Sequence, residues 1–277
     1  MEQGSHLRTD IVNDHIRLSQ QSTGLTFGTD AYLLAAYVRP VKGGCGVDLG
    51  SGTGIIPLLC LGRNKFSKCY AIEIQSSFAQ LITHNAQENG FSDRLFSVCA
   101  DVRAIGEAVP ELLGTVDVVT ANPPYMAANT GFKNQHDEKY IARHEVNGTV
   151  ADFCMAASRL LKSGGRFYCV WRPDRLADLT VALREAGLEP KRMTLVQATW
   201  AARPSILLME AVRGGSPSLT VTPPRCLWEA DAARVECPCT PLVASADADE
   251  IYEHCGFPDR FLPGNRKKKT DVDVKKG

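Results

Sequence analysis

The stretch Val-Asp-Val-Val-Thr-Ala-Asn-Pro-Pro-Tyr occupies residues 116–125. Its β-branched valines are typical of a buried parallel strand. The strand must end at Pro123 and Pro124, because proline donates no ladder hydrogen bond and holds the preceding residue in an extended conformation. The sequence therefore predicts a rigid elbow at the carboxyl end of a strand, where open α/β sheets bind their ligands.

The elbow residues suit the alkylation of a planar, conjugated amine, whose nitrogen is a poor nucleophile because its lone pair is delocalised. The side-chain oxygen of Asn122 and a fixed prolyl carbonyl can each accept one N–H and draw the nitrogen towards a tetrahedral geometry. The ring of Tyr125 offers a stacking face for a flat substrate. We therefore predict that Asn122, Pro123, Pro124 and Tyr125 are catalytic; the alternative is an ordinary strand-to-loop turn.

A glycine-rich motif, Gly50-Ser51-Gly52-Thr53-Gly54, follows the predicted strand 45–49 and precedes an apolar helical segment. Alternate glycines let backbone N–H groups approach a ligand closely and turn the chain into a helix N-terminus. A dinucleotide fingerprint requires Gly or Ala where this chain has Ile55. The loop fits instead a ligand with an amine and a carboxylate, as S-adenosylmethionine has.

Two acidic residues follow further predicted strands. Glu73 lies near the end of the strand predicted at 69–74, where an acid can accept both hydroxyls of a ribose. Asp101 follows the strand predicted at 96–100, where an adenine amine would lie. Either acid could instead cap a helix or end a strand in solvent.

Taken together, these motifs resemble those of class I S-adenosylmethionine-dependent methyltransferases that act on amines. Further segments resemble the bacterial family that methylates the exocyclic amine of the adenine 3′ of the anticodon in valine tRNA: Phe27-Gly28-Thr29-Asp30-Ala31, Ala142-Arg143-His144-Glu145, Gly164-Gly165-Arg166-Phe167-Tyr168, and residues 171–176 and 188–192. The resemblance covers roughly residues 7–256.

The resemblance implies S-adenosylmethionine as the cofactor, tRNA as the substrate and no metal. The residues expected to bind the cofactor are Thr29, Asp48, Gly50, Ser51, Gly52, Gly54, Glu73, Asp101 and Asn122. His144 lies beyond the elbow and is expected to contact RNA or order the loop at 126–148. A general base is not needed there, since the nitrogen loses its proton only after methyl transfer has made it acidic.

Strand and helix patterns alternate from residue 45 to residue 212, which predicts an α/β fold with a doubly wound, mostly parallel sheet. Seven strands are expected, the last two forming a terminal antiparallel hairpin; this is the Rossmann-like sheet of such methyltransferases. A helix from about 150 to 161 is expected to end at Gly164-Gly165, and another begins with Thr29 or Asp30 as N-cap. We expect three parts: an N-terminal segment 1–44 with a cofactor-side helix, the methyltransferase domain 45–212 and a C-terminal extension 213–277.

Composition agrees with an ordinary globular enzyme, with 44% hydrophobic and 22% charged residues. The chain has no apolar run of membrane-spanning length and no basic-then-apolar start, so we expect a cytoplasmic protein that does not bind membranes. Ten cysteines are scattered rather than spaced as a disulfide framework. Cys237 and Cys239, flanked by Cys226 and Cys255, could hold a metal, but their spacing matches no standard zinc signature.

The net charge is zero, with 31 basic and 31 acidic residues, so it argues neither for nor against RNA. A basic tail at 266–276 is either a phosphate contact or a solubilising terminus. Candidates for an RNA-binding face are Lys133, Arg143, His144, Arg172, Arg175, Lys191 and Arg192.

Three other interpretations are open at this point. The same chemistry also serves ribosomal RNA amines and protein glutamines, although the 44 residues before Cys45 are too few for the helical domain of glutamine enzymes. A non-catalytic RNA-binding scaffold is disfavoured by the intact motifs. A nicotinamide-dependent oxidoreductase is disfavoured by Ile55.

Overall fold

The computed structural model describes residues 7–13, 16–21, 28–123, 148–229 and 243–257. Within these ranges the strands are β1 (Leu7–Asn13), β2 (Ile16–Gln21), β3 (Cys45–Leu49), β4 (Lys68–Glu73), β5 (Leu95–Cys99), β6 (Val116–Ala121), β7 (Leu161–Trp171), β8 (Leu188–Gln197), β9 (Ile206–Arg213), β10 (Thr220–Val221), β11 (Arg225–Cys226), β12 (Trp228–Glu229) and β13 (Val243–Ala244). The helices are α1 (Thr29–Tyr37), α2 (Ile55–Gly62), α3 (Ser76–Glu88), α4 (Ile105–Ala108), α5 (Val150–Leu160), α6 (Leu176–Glu185) and α7 (Ala246–His254).

The central sheet has the strand order β10-β8-β9-β7-β6-β3-β4-β5, with β11 also pairing with β8. Strand β9 lies between β7 and β8 and runs antiparallel to both, while the other neighbours are parallel. The predicted seven-stranded, mostly parallel sheet with a late antiparallel hairpin is therefore confirmed. Two short parallel strands, β10 and β11, extend it beyond the prediction.

Hydrophobic residues cover both faces of this sheet. On one face the side chains of α1, α2 and α3 form a core with Val118, Tyr168 and Val170. On the other face α4, α5 and α6 pack against strand residues that include Val47 and Val119. Val118 of β6 contributes to the first core and its neighbour Val119 to the second, as is typical of a strand buried on both faces. The doubly wound arrangement is confirmed.

The prediction of a glycine stop after α5 is wrong. The helix ends at Leu160, Leu161 caps it in an extended conformation, and β7 begins at once. Gly164, at φ +75°, lies inside β7 where its pairing with β6 shifts register. A Cβ atom on Gly165 would come within 2.9 Å of the Lys162 carbonyl oxygen. These glycines therefore allow an irregularity within a strand rather than a helix terminus.

The prediction of Thr29 or Asp30 as the N-cap of α1 is also wrong. The helix begins at Thr29 and its N-cap is Gly28, which has no side chain to accept a hydrogen bond. The Asp30 carboxylate instead accepts the N–H of Ala31 at 3.0 Å within the first turn.

The segments on either side of the predicted domain pack against it. The hairpin β1–β2, which the sequence did not predict, buries Ile16 and Leu18. Asn85 on α3 accepts the N–H of Ser19 at 2.8 Å and donates to its carbonyl at 3.0 Å, which fastens the hairpin to the domain. In the C-terminal extension, the Glu253 carbonyl oxygen of α7 accepts a hydrogen bond from the guanidinium of Arg63 in the domain, and the Tyr252 ring meets Tyr32 of the N-terminal segment at 5.1 Å.

Candidate active site

The glycine-rich loop connects β3 to α2 at the carboxyl edge of the sheet. Gly50, Gly52 and Gly54 all have positive φ values of 67°, 56° and 84°. A Cβ atom on Gly50 would lie 3.2 Å from the Phe153 ring, so the loop passes against α5 with no room for a side chain. The N–H groups of Gly50 and Ser51 donate to the Ile72 carbonyl at 2.9 and 3.0 Å. The loop is thereby fixed to the end of β4.

Glu73, the last residue of β4, is buried and organises the same loop. One carboxylate oxygen accepts the Gly52 N–H at 2.8 Å, and the other accepts the Gln75 N–H at 2.9 Å. Each oxygen keeps a second lone pair, since a carboxylate has about four acceptor positions. The residue expected to bind ribose therefore also holds the loop in place.

Asp48 lies beneath the loop, fully buried in β3. Its Oδ1 accepts the hydroxyl of Thr120, on the neighbouring strand β6, at 2.5 Å. Burial, together with the nearby charge of Glu73, raises the pKa of Asp48 to about 7. The Ser51 hydroxyl faces this carboxylate and opposes the rise in pKa, although among the described residues neither it nor Asp48 Oδ2 has a partner within hydrogen-bond geometry. Two polar atoms are thus held out of water at the base of the loop.

A cavity of about 160 Å³, here named the loop cavity, opens between these elements. Its lining combines the predicted residues Gly50, Glu73, Asp101 and Asn122 with Ile72, Ile74, Gln75, Ala100, Val102 and Phe153. Four motifs far apart in sequence therefore meet in one place. Asp48, Ser51, Gly52, Gly54 and Thr29 were also predicted as cofactor residues, but they are not among its lining residues.

Asp101 occupies the wall of the loop cavity that follows β5. It begins the short 3₁₀ helix 102–104, where its carboxylate accepts the Arg103 N–H at 2.8 Å and pairs with the guanidinium. The hydrogen bonds from Arg103 hold the pKa of Asp101 below its usual value of 3.8. The carboxylate is therefore ionised near neutral pH and acts as an acceptor.

Asn122 follows β6 directly and lies at the border of the loop cavity. Its side-chain Nδ2 donates to Asp30 Oδ2 on α1 at 2.9 Å. Asp30 thereby fixes which way the amide faces, since Nδ2 is the only donor of that group. Pro123 is buried behind it. Pro124, Tyr125 and His144 lie outside the described residues, as do Cys237 and Cys239.

Asp30 also lines a second cavity of about 220 Å³, here named the edge cavity, together with Thr29, Trp171, Arg172, Ser205 and Ile206. Thr29 therefore lies on the far side of the Asp30–Asn122 hydrogen bond from the glycine loop. Arg172 pairs there with Asp174 at 2.6 Å. The Asp30–Asn122 pair contributes one residue to each cavity.

The model of the methyltransferase small domain family matches residues 23–185, more than half of the chain. The chain belongs to this family. The match includes the glycine loop, Glu73, Asp101 and the elbow at Asn122, so the residues around the loop cavity belong to the family's own domain.

Two relatives and one solved structure are similar to this methyltransferase. The chain is 28% identical over 200 residues to the tRNA1(Val) (adenine(37)-N6)-methyltransferase of Porphyromonas gingivalis, covering 70% of this chain and 76% of the relative. It is 26% identical over 204 residues to the protein of that name from Haemophilus influenzae, covering 70% and 84%. A crystal structure described as a predicted O-methyltransferase of Agrobacterium tumefaciens superposes on this chain with a TM-score of 0.66 at 21% identity. The superposition covers 83% of this chain and 98% of that one, which shows that the two proteins share a fold.

Asp30 and Phe153 contribute to these cavities, although no functional role is predicted for either from the sequence. Asp30 lies in the segment 27–31 that resembles a family motif, which was the one available signal for it. Phe153 carries no such signal, because a phenylalanine on an amphipathic helix is ordinarily a core residue.

No group of three or more His, Cys, Asp or Glu side chains suited to a metal is found in the described ranges. Cys226 and Cys255, which flank Cys237 and Cys239 in the sequence, are free thiols. None of the helices in those same ranges has the length and apolarity to span a membrane.

Proposed function

We propose that this methyltransferase transfers a methyl group from S-adenosylmethionine to the exocyclic N6 amine of adenine in tRNA, at the adenine 3′ of the anticodon of valine tRNA. The observation that carries the proposal is the oriented Asn122 amide at the border of a cavity that also contains Glu73 and Asp101. The names of the relatives supply the RNA and the position of the acceptor.

The donor set of the loop cavity fits S-adenosylmethionine. Glu73 offers two oxygens with remaining lone pairs to a ribose diol, and Asp101 offers an ionised acceptor to an exocyclic amine. The apolar side chains of Ile74 and Val102 line the same cavity and suit a planar base. The buried Asp48 Oδ2 and Ser51 hydroxyl, which have no partner within hydrogen-bond geometry in the described part of the chain, add polar atoms at the loop.

Bound S-adenosylmethionine supplies an electrophilic methyl group. The other parts of the reaction depend on residues of this chain. Asn122 accepts one N–H of the target amine through its side-chain oxygen, since Asp30 engages the Nδ2 side of the amide. This interaction strengthens as positive charge builds on the nitrogen, so it acts mainly in the transition state. A prolyl carbonyl of the elbow accepts the second N–H, and the proton is lost to solvent after transfer.

The acceptor side of the proposal includes Tyr125, which lies outside the described residues. We propose that an adenine flipped out of its RNA stack lies against this ring. Tyr125→Phe should keep most activity and Tyr125→Ala should lose it, because stacking of one base is worth roughly 1–3 kcal/mol.

The proposal also includes where the enzyme works and how the chain divides. We propose a cytoplasmic enzyme in which 45–212 is the methyltransferase domain, preceded by the segment 1–44 and followed by the extension 213–277. A ribosomal RNA amine or a protein glutamine is the alternative acceptor, for which the same elbow would serve.

The deciding experiment is nucleoside mass spectrometry of tRNA incubated with the protein and methyl-labelled S-adenosylmethionine. Labelled N6-methyladenosine should form in valine tRNA and be absent when its position 37 is changed to guanosine. The Asn122→Ala variant serves as the control for contaminating activity. Label found only in ribosomal RNA or in protein would overturn the choice of acceptor, and no label in any substrate would overturn the proposed chemistry.

A further inference from the structure

A third cavity, of about 230 Å³, lies away from the loop and edge cavities; we name it the arginine cavity. It is bordered by β7, β8 and β9 and by the chain after α1. Among the described residues, its cationic lining residues are Arg39, Arg166, Lys191 and Arg192, and its one acidic lining residue is Glu210. These five side chains together carry a net charge of +3, whereas the total charge of the chain is zero.

The Glu210 carboxylate forms ion pairs with three of these cations, so its one negative charge does not neutralise their three positive charges. Glu210 is 2% exposed and lies 2.8 Å from Arg192 Nε, 3.4 Å from Arg39 Nη1 and 3.4 Å from Arg166 Nε. Arg192 is fully engaged, because it also donates to the Tyr37 carbonyl at 2.7 Å and stacks on the Tyr37 ring at 3.7 Å. It forms the rigid floor of the cavity.

Arg39 and Arg166 keep donors available. Arg39 Nε is buried and has no hydrogen-bond partner among the described residues. Arg166 lines the cavity, its side chain is 38% exposed, and its ion pair with Glu210 is made through Nε rather than through either Nη. A buried guanidinium N–H without a partner is costly, so an anion that accepts it would be stabilised.

Hydroxyl groups complete the lining. Ser218, Thr220 and Thr222 also line the cavity, and Lys191 Nζ donates to the Ser218 hydroxyl at 3.2 Å. The Thr222 hydroxyl is already hydrogen-bonded to the Thr194 hydroxyl at 2.6 Å, so Ser218 and Thr220 are the hydroxyls proposed to meet a ligand. Guanidinium groups bind phosphate oxygens through pairs of parallel N–H bonds, and hydroxyls supply further donors. A carboxylate ligand would leave most of these donors and most of the positive charge unmatched.

We propose that the arginine cavity is a binding site for a phosphoryl group, a phosphate monoester or diester. The site is separate from the one where methyl transfer occurs. Asp30 and Arg39 lie at opposite ends of α1, whose nine residues span about 13 Å. The site therefore does not depend on the proposed methyl transfer, and two sources of the phosphoryl group remain to be distinguished: the RNA backbone and a free phosphorylated compound.

The test is titration calorimetry of the full chain with sodium pyrophosphate at constant ionic strength. The wild-type protein should show saturable binding of one pyrophosphate. Arg166→Gln and Lys191→Gln should each weaken it by about tenfold or more, since each removes charge-assisted hydrogen bonds. Arg184→Gln is the matched control, because Arg184 is 57% exposed, pairs with Glu189 and does not line the cavity. Circular dichroism and thermal melts verify that each variant folds.

Measuring tRNA binding by the same variants identifies the source of the phosphoryl group. If pyrophosphate competes with tRNA and Arg166→Gln weakens both to the same extent, the site takes a backbone phosphate of the RNA. If tRNA binding is unchanged while pyrophosphate binding is lost, the site takes a free phosphorylated compound. Absence of saturable pyrophosphate binding by the wild type would overturn the proposal, as would equal binding by Arg166→Gln and Arg184→Gln.

Discussion

The Asp30 carboxylate accepts a hydrogen bond of 2.9 Å from the Asn122 amide, joining residues 92 positions apart in the chain. Asp30 belongs to α1, which packs on one face of the sheet, and Asn122 directly follows the central strand β6. The amide is therefore held by an element from outside the sheet, and in the proposed chemistry Asp30 is a positioning residue that acts through this amide.

Replacing Asp30 with Ala should slow methyl transfer by about tenfold or more, because a hydrogen bond to a charged group contributes about 1.5–3 kcal/mol. Asp30→Asn keeps an acceptor oxygen and should be intermediate. Single-turnover rates at saturating tRNA give the comparison, with Asp93→Ala as an exposed control. Equal rates for the Asp30→Ala and Asp93→Ala variants would show that the amide does not need this partner.

Asn122→Ala should reduce the single-turnover rate by about a hundredfold to a thousandfold, as expected on removing one preorganised polar group. Affinity for S-adenosylmethionine should change far less, because the main role proposed for Asn122 is on the acceptor side. Asn122→Asp keeps an acceptor and should retain partial activity. A wild-type rate for the Ala variant would mean that the elbow is only structural.

Glu73→Ala should weaken S-adenosylmethionine binding by about ten- to hundredfold, measured by titration calorimetry. Two effects add here: the ribose loses its acceptor, and the Gly52 and Gln75 N–H groups lose theirs. The variant should therefore also unfold at lower denaturant concentration. The exposed Glu88→Ala is the control; unchanged affinity in the Glu73 variant would remove the residue from the cofactor site.

Much of this arrangement was predictable because it depends on local patterns. The valine run of β6 and the glycines of residues 50–54 mark buried strands and tight turns within a few residues of themselves. No local sequence pattern predicts the Asp30–Asn122 contact, because it depends on where α1 packs. The β1–β2 hairpin was missed because its first strand is mostly exposed and polar, so no apolar alternation reveals it.

The pH dependence of stability should reflect Asp48. This residue holds its proton up to about pH 7 in the folded protein but only up to about 3.8 in the unfolded chain. Between those values the folded state binds more protons, so its stability falls as pH rises, by at most about 1.4 kcal/mol per pH unit. Above pH 7 Asp48 is ionised in both the folded and the unfolded state, so its contribution to stability no longer changes with pH.

Denaturant unfolding of the wild type and Asp48→Asn from pH 5 to pH 8 measures this effect. Relative to the variant, the wild type should lose about 2–3 kcal/mol between pH 5 and pH 7 and little beyond. A difference that stays constant across this range would show that Asp48 is ionised in the folded protein from the start.

Lys65 gives a prediction for stability alone. Its buried ammonium donates to the carbonyl oxygens of Ala35, Ala36 and Val38 at 2.6, 2.8 and 2.9 Å, closing the end of α1. Lys65→Met should lower the free energy of unfolding by about 3 kcal/mol, because it leaves these carbonyls without donors. The exposed Lys42→Met should change it by less than about 0.5 kcal/mol. Equal unfolding midpoints for the two would contradict this role.

The position of β9 between β7 and β8 has a consequence for biosynthesis. Strand β8 leaves the ribosome before β9, yet its inner neighbour in the sheet is β9. Until residue 213 emerges, β7 and β8 each present an unpaired edge, and open edges invite association with other chains. A single late strand then closes both at once, so nascent chains whose emerged portion ends between residues 197 and 206 should be the ones most in need of a chaperone.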